Sequence, residues 1–318
     1  MGRYIRQRLL ISVPILLAIT MIIFTLLQFT PGDPLDAYLT PDSVLSQEQR
    51  DSLRRELGLD RPAPVRYLYW LREVAQGNLG YRIKTGEPVA TTIAQRLGPT
   101  LMLMASGLGL GIGVGVVLGV VSAVRQYSFL DFALTIFAFL GTSMPAFFAG
   151  LVGLYLFALR FRWFPAGGFS TPGEPFSLWD RIHHLILPAL ILSFFHIGSI
   201  MRYTRSAMLG VLTMDYVRTA QAKGLAQRIV VVRHALRNAL LPVVTIVGAS
   251  IPGLVGGAVF IESIFSWPGM GRLYLDSIEA RDFPLIMGMT LVLAAVILLA
   301  NLLTDLAYAI VDPRIRYG

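Results

Sequence analysis

The sequence predicts an all-α membrane protein with six transmembrane helices and a small helical extracytoplasmic lobe after the first span. Three observations carry this. Of the 318 residues, 55% are hydrophobic and only 14% charged, too apolar for an ordinary soluble domain. Six segments without charge reach the roughly 17 to 25 residues needed to cross a hydrocarbon core about 30 Å thick. Basic residues also gather in the short loops of one side, as cytoplasmic loops do.

The first segment, Leu9 to Thr30, follows Arg3, Arg6 and Arg8 as a signal peptide would. Its length and the lack of a small-residue cleavage site read instead as a retained anchor. Residues 31–98 then form a long loop with nine basic and nine acidic residues. Ser46 and Gln49 have capping-box spacing before a helical run that can stop at Gly58. Asp60 to Pro64 reads as a turn, and Val65, Leu68, Leu71 and Ala75 make one apolar face of a second short helix. The other reading of this loop is a disordered linker.

The second segment is Leu101 to Val124. Gly107, Gly111, Gly115 and Gly119 recur every fourth residue in it and line one helix face, a ridge that admits a neighbouring helix at close range. That ridge serves either static packing or a sliding surface used in gating. The later segments are Phe132 to Leu159, Leu185 to Met201, Ala239 to Ile261 and Leu285 to Thr304. Pro145, Pro188, Pro242 and Pro252 fall in or beside them, where each removes a backbone donor and can kink a helix. No internal or inverted repeat is visible.

Between the fourth and fifth segments, 202–238 forms a basic loop. Asp215 can cap a short helix whose first turn holds Tyr216, Val217 and Arg218, and Gly224 after Lys223 is a plausible stop. Leu225 to Leu240 can resume as helix into the fifth span. The loop carries Arg218, Lys223, Arg228, Arg233 and Arg237. It reads either as a positive-inside anchor held by anionic lipid or, given Ala220, Ala222 and Gly224, as an element that docks in a protein groove. With both termini on one side, that side holds thirteen basic residues near the spans against five in the opposite short loops, which places both termini in the cytoplasm. The net charge of +8 is then a topological asymmetry, and nucleic acid is not an expected partner.

Much chemistry is excluded. There is no cysteine, so neither a disulfide framework nor a thiolate metal site can form. Lys84 and Lys223 are the only lysines and neither sits in a phosphate-binding loop, so ATP hydrolysis is not expected of this chain. The six segments contain no charge of the kind that couples transport to ions, and Asp305 lies just beyond the last. His183 and His184 lack cysteine or carboxylate ligands at metal spacing, and read as interface histidines. No nucleophilic triad or H-E-x-x-H motif is present.

TAQAKGL at 219–225 followed by RHALRNALLPVVT at 233–245 resembles the EAA loop of the inner-membrane permease subunits of ABC importers, in the form found in the dipeptide, oligopeptide and nickel branch. TPGDP at 30–34, LGLDRPAPVRY at 57–67, GNLG at 77–80, SMPAFF at 143–148, ESIFSWPGMGRL at 262–273 and DPRIRYG at 312–318 agree, so the resemblance covers essentially the whole chain. It implies the type I importer permease architecture: a cytoplasmic tail and first span (1–30), an extracytoplasmic lobe (31–98) and a five-helix permease core (99–318) that includes the coupling loop. It implies a coupling helix at Asp215, Arg218, Thr219, Ala220, Gln221, Ala222, Lys223, Gly224 and Leu225. It further implies a second homologous permease, two ATPase subunits that bind ATP and Mg, an external solute-binding protein, no cofactor in this chain and a bacterial or archaeal inner membrane.

The function implied is a non-enzymatic permease subunit for dipeptides or oligopeptides, with nickel chelates, glutathione or opines as alternatives within the family. An ion-coupled carrier acting alone and a membrane scaffold are the readings outside it. Aligned on Gly224, the family's usual Glu is replaced by Arg218, so an acidic contact to the ATPase is not carried over.

Overall fold

The computed structural model of the protein describes residues 2–31, 33–39 and 46–311. Gly32 of the TPGDP stretch, and the DPRIRYG stretch with Arg314 and Arg316, lie outside the described residues. The described residues form helices and loops, with one isolated antiparallel bridge between Tyr81 and Pro88. The chain divides into two compact units, 1–99 with 272–298, and 100–271 with 299–318.

In the first unit, α1 (Gly2–Gln28) is apolar and exposed along most of its length, as suits a helix surrounded by lipid. A short 3-10 turn (Pro34–Tyr38) begins at Asp33, whose carboxylate accepts from Leu35 N at 3.0 Å and pairs with Arg54. The expected capping box opens α2 (Gln47–Glu56): Ser46 accepts from Gln49 N and Gln49 accepts from Ser46 N. The helix ends as expected before Gly58, at φ +64°. α3 (Ala63–Ala75) forms too, but turns a different face to its neighbour. Its aromatic side packs on α1. Tyr67 donates to Leu17 O at 3.0 Å and lies 5.4 Å from the Phe24 ring, and Trp70 stacks on Tyr67. Tyr67, a ring that can also hydrogen-bond, wins this contact, so Val65 and Leu68 are left exposed.

The second unit is organised by α4 (Val89–Val124) and α7 (Leu178–Leu212). A Cβ built on Gly107, Gly111, Gly115 or Gly119 would lie 3.0, 2.8, 2.9 or 2.6 Å from Leu192, His196, Ile200 or Thr204 respectively. The glycine ridge is therefore a packing face. Because both series rise together in steps of four, the two helices run parallel. α5 (Phe129–Ser143) runs antiparallel to α7, with Gly141 against Phe194 and Gly198 against Ala138.

The third apolar segment is not one straight helix. α5 ends at Ser143, and α6 (Ala146–Gly153) with its π-helical turn (Leu154–Arg160) departs at 110°. Met144, before Pro145 where helical backbone is disfavoured, takes extended backbone, φ −82° and ψ 127°, at the break. Pro188, Pro242 and Pro252 lie inside helices that continue. Is the bent pair a crossing or a re-entrant loop? Contacts of the pair retreat along α7 from Gly198 and Phe194 to Ile191, and the loop that follows it continues to His183, whose Nε2 lies 3.0 Å from Trp163 O, and Asp180, which accepts from Thr171 N at 2.8 Å. That retreat spans about 27 Å of helix axis, enough to cross. Parallel α4 and α7 require the same answer, since the chain between them must return once. The pair is one broken crossing, and the chain makes six with α1, α4, α7, the helix at 227–264 and α12 (Phe283–Val311).

A methyl group at Gly119 meets both Thr204 Cβ at 2.6 Å and Met201 O at 2.7 Å, whereas at Gly113 nothing lies within 4 Å. Gly119→Ala is expected to cost about 1–3 kcal/mol through overpacking. The check is the thermal midpoint of the detergent-purified protein, which should fall for Gly119→Ala and stay within error for Gly113→Ala.

Candidate functional site

The 202–238 loop folds as a short helix held between two long ones. α7 ends at Leu212, where Thr213 Oγ1 donates to Gly210 O at 2.8 Å. α8 (Asp215–Ala222) follows, with Met214 at its N-cap and no side-chain cap bond. Asp215 is thus the first helical residue and not the cap. Its carboxylate still lies in the first turn, where the helix dipole favours negative charge. Lys223 N donates to Thr219 O at 3.1 Å, and Gly224 ends the helix at φ +77°, a left-handed conformation that costs glycine least. Helix resumes at Gln227, two residues later than Leu225. α9 (Gln227–Ile229), a π-helical turn (Val230–Ala235) and α10 (Leu236–Ile264) then run on as Gln227–Ile264.

Two contacts anchor α8. Val217 and Ala220 are buried against Val230, with Val211 and Leu212 alongside. Asn238 Nδ2 donates to Tyr216 Oη at 2.8 Å, tying α8 to α10. Ala220 therefore faces its own chain. Asp215, Arg218, Thr219, Gln221, Ala222, Lys223, Gly224 and Leu225 are exposed. Around them Met214, Leu225 and Ile229 expose apolar surface, and among the described residues Arg218, Lys223 and Arg228 form no ion pair. The exposed face of α8 is thus basic and partly apolar. Such a face can meet anionic lipid or an acidic complement in another protein.

Sequence reasoning missed two buried charged nodes. Asp131, at the start of α5, receives Arg205 of α7 through two bonds of 2.8 Å, Tyr127 N at 3.0 Å, and the Ser122 hydroxyl. Arg205 had counted as one more positive-inside charge; it is bound instead in a bidentate pair. The spacing Ser128-x-x-Asp131, with Ser128 Oγ accepting from Asp131 N at 3.2 Å, was the available cue. The second node is Glu262, fully buried one residue past the fifth apolar segment. It accepts from Thr100 Oγ1 and from Gly271 N, both at 2.6 Å, while Thr100 accepts from Met270 N at 2.7 Å. Gly269 and Gly271 crowd that carboxylate, and a Cβ on Gly271 would lie 2.5 Å from Val259 Cα. The glycines of SWPGMG are thus explained by a backbone folded over a buried acid. His183 and His184 bond backbone carbonyls, and among the described residues no three ligating side chains gather to hold a metal.

Residues 115–317 match the family of binding-protein-dependent transport system inner membrane components, and residues 1–104 match the N-terminal region of such membrane components. The chain belongs to this family. A Brucella suis protein with a provisional description as a peptide permease is 55% identical over 317 residues, 99% of each chain. The oligopeptide transport system permease protein AppB of Bacillus subtilis is 45% identical over the whole of both chains. The dipeptide transport system permease protein DppB of Escherichia coli is 37% identical over 338 residues, all of this chain and 99% of that one. A chain of the MetNI methionine ABC transporter, solved in inward-facing conformations, is 16% identical with a TM-score of 0.56, covering 70% of this chain and 97% of that one. That likeness establishes the type I importer permease fold. The protein is accordingly a multi-span membrane permease subunit of an ABC importer and not an enzyme, and its family works with ATPase and binding-protein partners.

Asp131→Asn should leave Arg205, 26% exposed, without its carboxylate, at a cost of about 2–4 kcal/mol, below the full penalty for a wholly buried charge. In a double-mutant cycle with Arg205→Gln, unfolding of the purified protein should be non-additive by about 1 kcal/mol or more. Additive losses would show that the pair has no joint role.

Proposed function

We propose that this chain is one of two homologous permease subunits of an ATP-driven importer of dipeptides or oligopeptides, and that α8 is its coupling element to an ATPase. The observation that carries the reading is the exposed basic face of α8, anchored to α7 through a small apolar core and to α10 through Tyr216 and Asn238. An element so held transmits a push to both spans and cannot slip past them. Relatives named for oligopeptide and dipeptide transport support the substrate class.

In this reading two ATPase subunits bind ATP and Mg on the cytoplasmic side and receive α8 at Asp215, Arg218, Thr219, Gln221, Ala222, Lys223, Gly224 and Leu225. Ala220 contributes from beneath by letting α8 lie close to Val230. With six crossings both termini share one face, and the excess of basic residues near the spans supports reading that face as the cytoplasmic side of a bacterial or archaeal inner membrane. Residues 1–30 are then a cytoplasmic tail and first span, 31–98 an external lobe that meets the solute-binding protein or the second permease, and 99–318 the permease core. Closure of the ATPase pair on ATP switches the permease pair from inward- to outward-facing, and hydrolysis resets it.

The test is ATP-driven uptake of a radiolabelled dipeptide into proteoliposomes holding the assembled complex, with the binding protein outside. Gly224→Arg, at a position with φ +77° and open space around it, should abolish co-purification of the ATPases or uncouple hydrolysis from uptake while membrane insertion persists. Normal uptake by that variant would sink the docking role of α8. Uptake by the chain alone down an ion gradient would sink the importer-subunit reading.

A further inference from the structure

The break in the third crossing opens a cavity of about 420 Å³ between the end of α5, α7 and α10. Its polar lining is Thr142, His196, Ser199, Arg202 and Ser250, and no acidic residue lines it. Gly253 and Gly257 of α10 keep one wall thin, while Phe195 and Phe260 supply apolar surface.

Arg202 is the unusual member. Its Nε is buried and has no hydrogen-bond partner, and its guanidinium is held over the Phe139 ring at 5.4 Å. One turn further along α7, Arg205 is bound in two bonds by Asp131. The same helix thus carries one arginine matched by a protein carboxylate and one left without. A buried donor lacking a partner costs free energy, and a guanidinium is the side chain best shaped to take a carboxylate through two parallel bonds. Arg202 lies one residue past the fourth apolar segment, at the edge of the span, where an ionisable group turned into a cavity suits a pathway or a partner. The cavity also falls in the size range of sites for small ligands.

We propose that this cavity is a substrate subsite in which Arg202 takes the C-terminal carboxylate of a peptide during its passage. Every linear peptide with a free C-terminus carries that group, so one arginine serves substrates of different side chains. Thr142 and Ser199 border the same space and supply hydroxyls for the peptide amide, and Phe195 and Phe260 give its side chains non-selective apolar contact. The inference rests on the peptide-import reading above.

The test uses the assembled complex in phosphatidylcholine proteoliposomes, with binding protein and radiolabelled alanyl-alanine, comparing wild type, Arg202→Gln and Arg202→Lys. Loss of a charge-assisted bond in Arg202→Gln should lower uptake about tenfold or more, with partial rescue by Arg202→Lys. Wild-type uptake by Arg202→Gln would overturn the subsite, as would a loss that tracks failure of the complex to assemble on size exclusion. Adding anionic lipid distinguishes a second source of the same chemistry: a defect that appears only with anionic lipid present would assign Arg202 to a lipid phosphate and overturn the proposal. If the wild-type complex itself imports no peptide, the import reading fails; if the wild type imports and Arg202→Gln matches it, only the subsite fails.

Discussion

Close approach of α4 and α7 is the constraint from which the second unit is built. Lipid tails are as apolar as leucine, so burying hydrocarbon between two helices gains little there; dispersion contacts and interhelical polar bonds must hold them. Four glycines at fourth-residue spacing let Leu192, His196, Ile200 and Thr204 sit where Cβ atoms would otherwise stand. Once those two helices are locked in parallel, much else follows. The chain between them must cross back, α5 lies antiparallel along α7, and α10 packs on α7 through Leu192, Leu254 and Ala258.

The buried charges finish what the glycines begin. Asp131 and Arg205 join α5 to α7 near one end of the bundle, and Glu262 gathers Thr100 and the SWPGMG turn at the far end of α10. A buried carboxylate is expensive unless donors converge on it, so each node admits few alternative packings. Both nodes lie where helices turn back, which are the places where apolar packing alone would leave the register loose.

Spans, capping box, glycine ridge and the stop at Gly224 were legible in the sequence because each rests on local spacing or on one residue's backbone freedom. What was not legible depends on partners distant in the chain. Pro145 and Pro188 look alike in sequence, yet only Pro145 breaks its helix, because nothing local says whether neighbouring helices will sustain a kinked span. Val65 and Leu68 make a genuine apolar stripe, but Tyr67 has a carbonyl to reach on α1 and turns the helix the other way. Arg205 was read as a charge among others because its carboxylate lies 74 positions away. In the 202–238 loop the spacing gave a short helix ending before Gly224, but nothing local could tell that Ala220 faces inward.

The π-helical turn at 230–235 joins these threads. Val230 belongs to the apolar cluster under α8, with Val217 and Ala220, while Val231, Ala235 and Ala239 belong to another cluster with Ala123 of α4 and Met208 of α7. Adjacent residues in one helix thus serve two separate contacts. Single widened turns occur where a helix must satisfy competing packing demands, often at functional sites. With Val230 seated on α8 and Val231 on the α4–α7 pair, a displacement of α8 reaches the glycine-locked core through consecutive residues and no intervening loop. Tyr216 and Asn238 close the same linkage on the exposed side. In the coupling role proposed above, a short helix held on two sides to one long span would pass motion outside the bilayer to helix movement inside it.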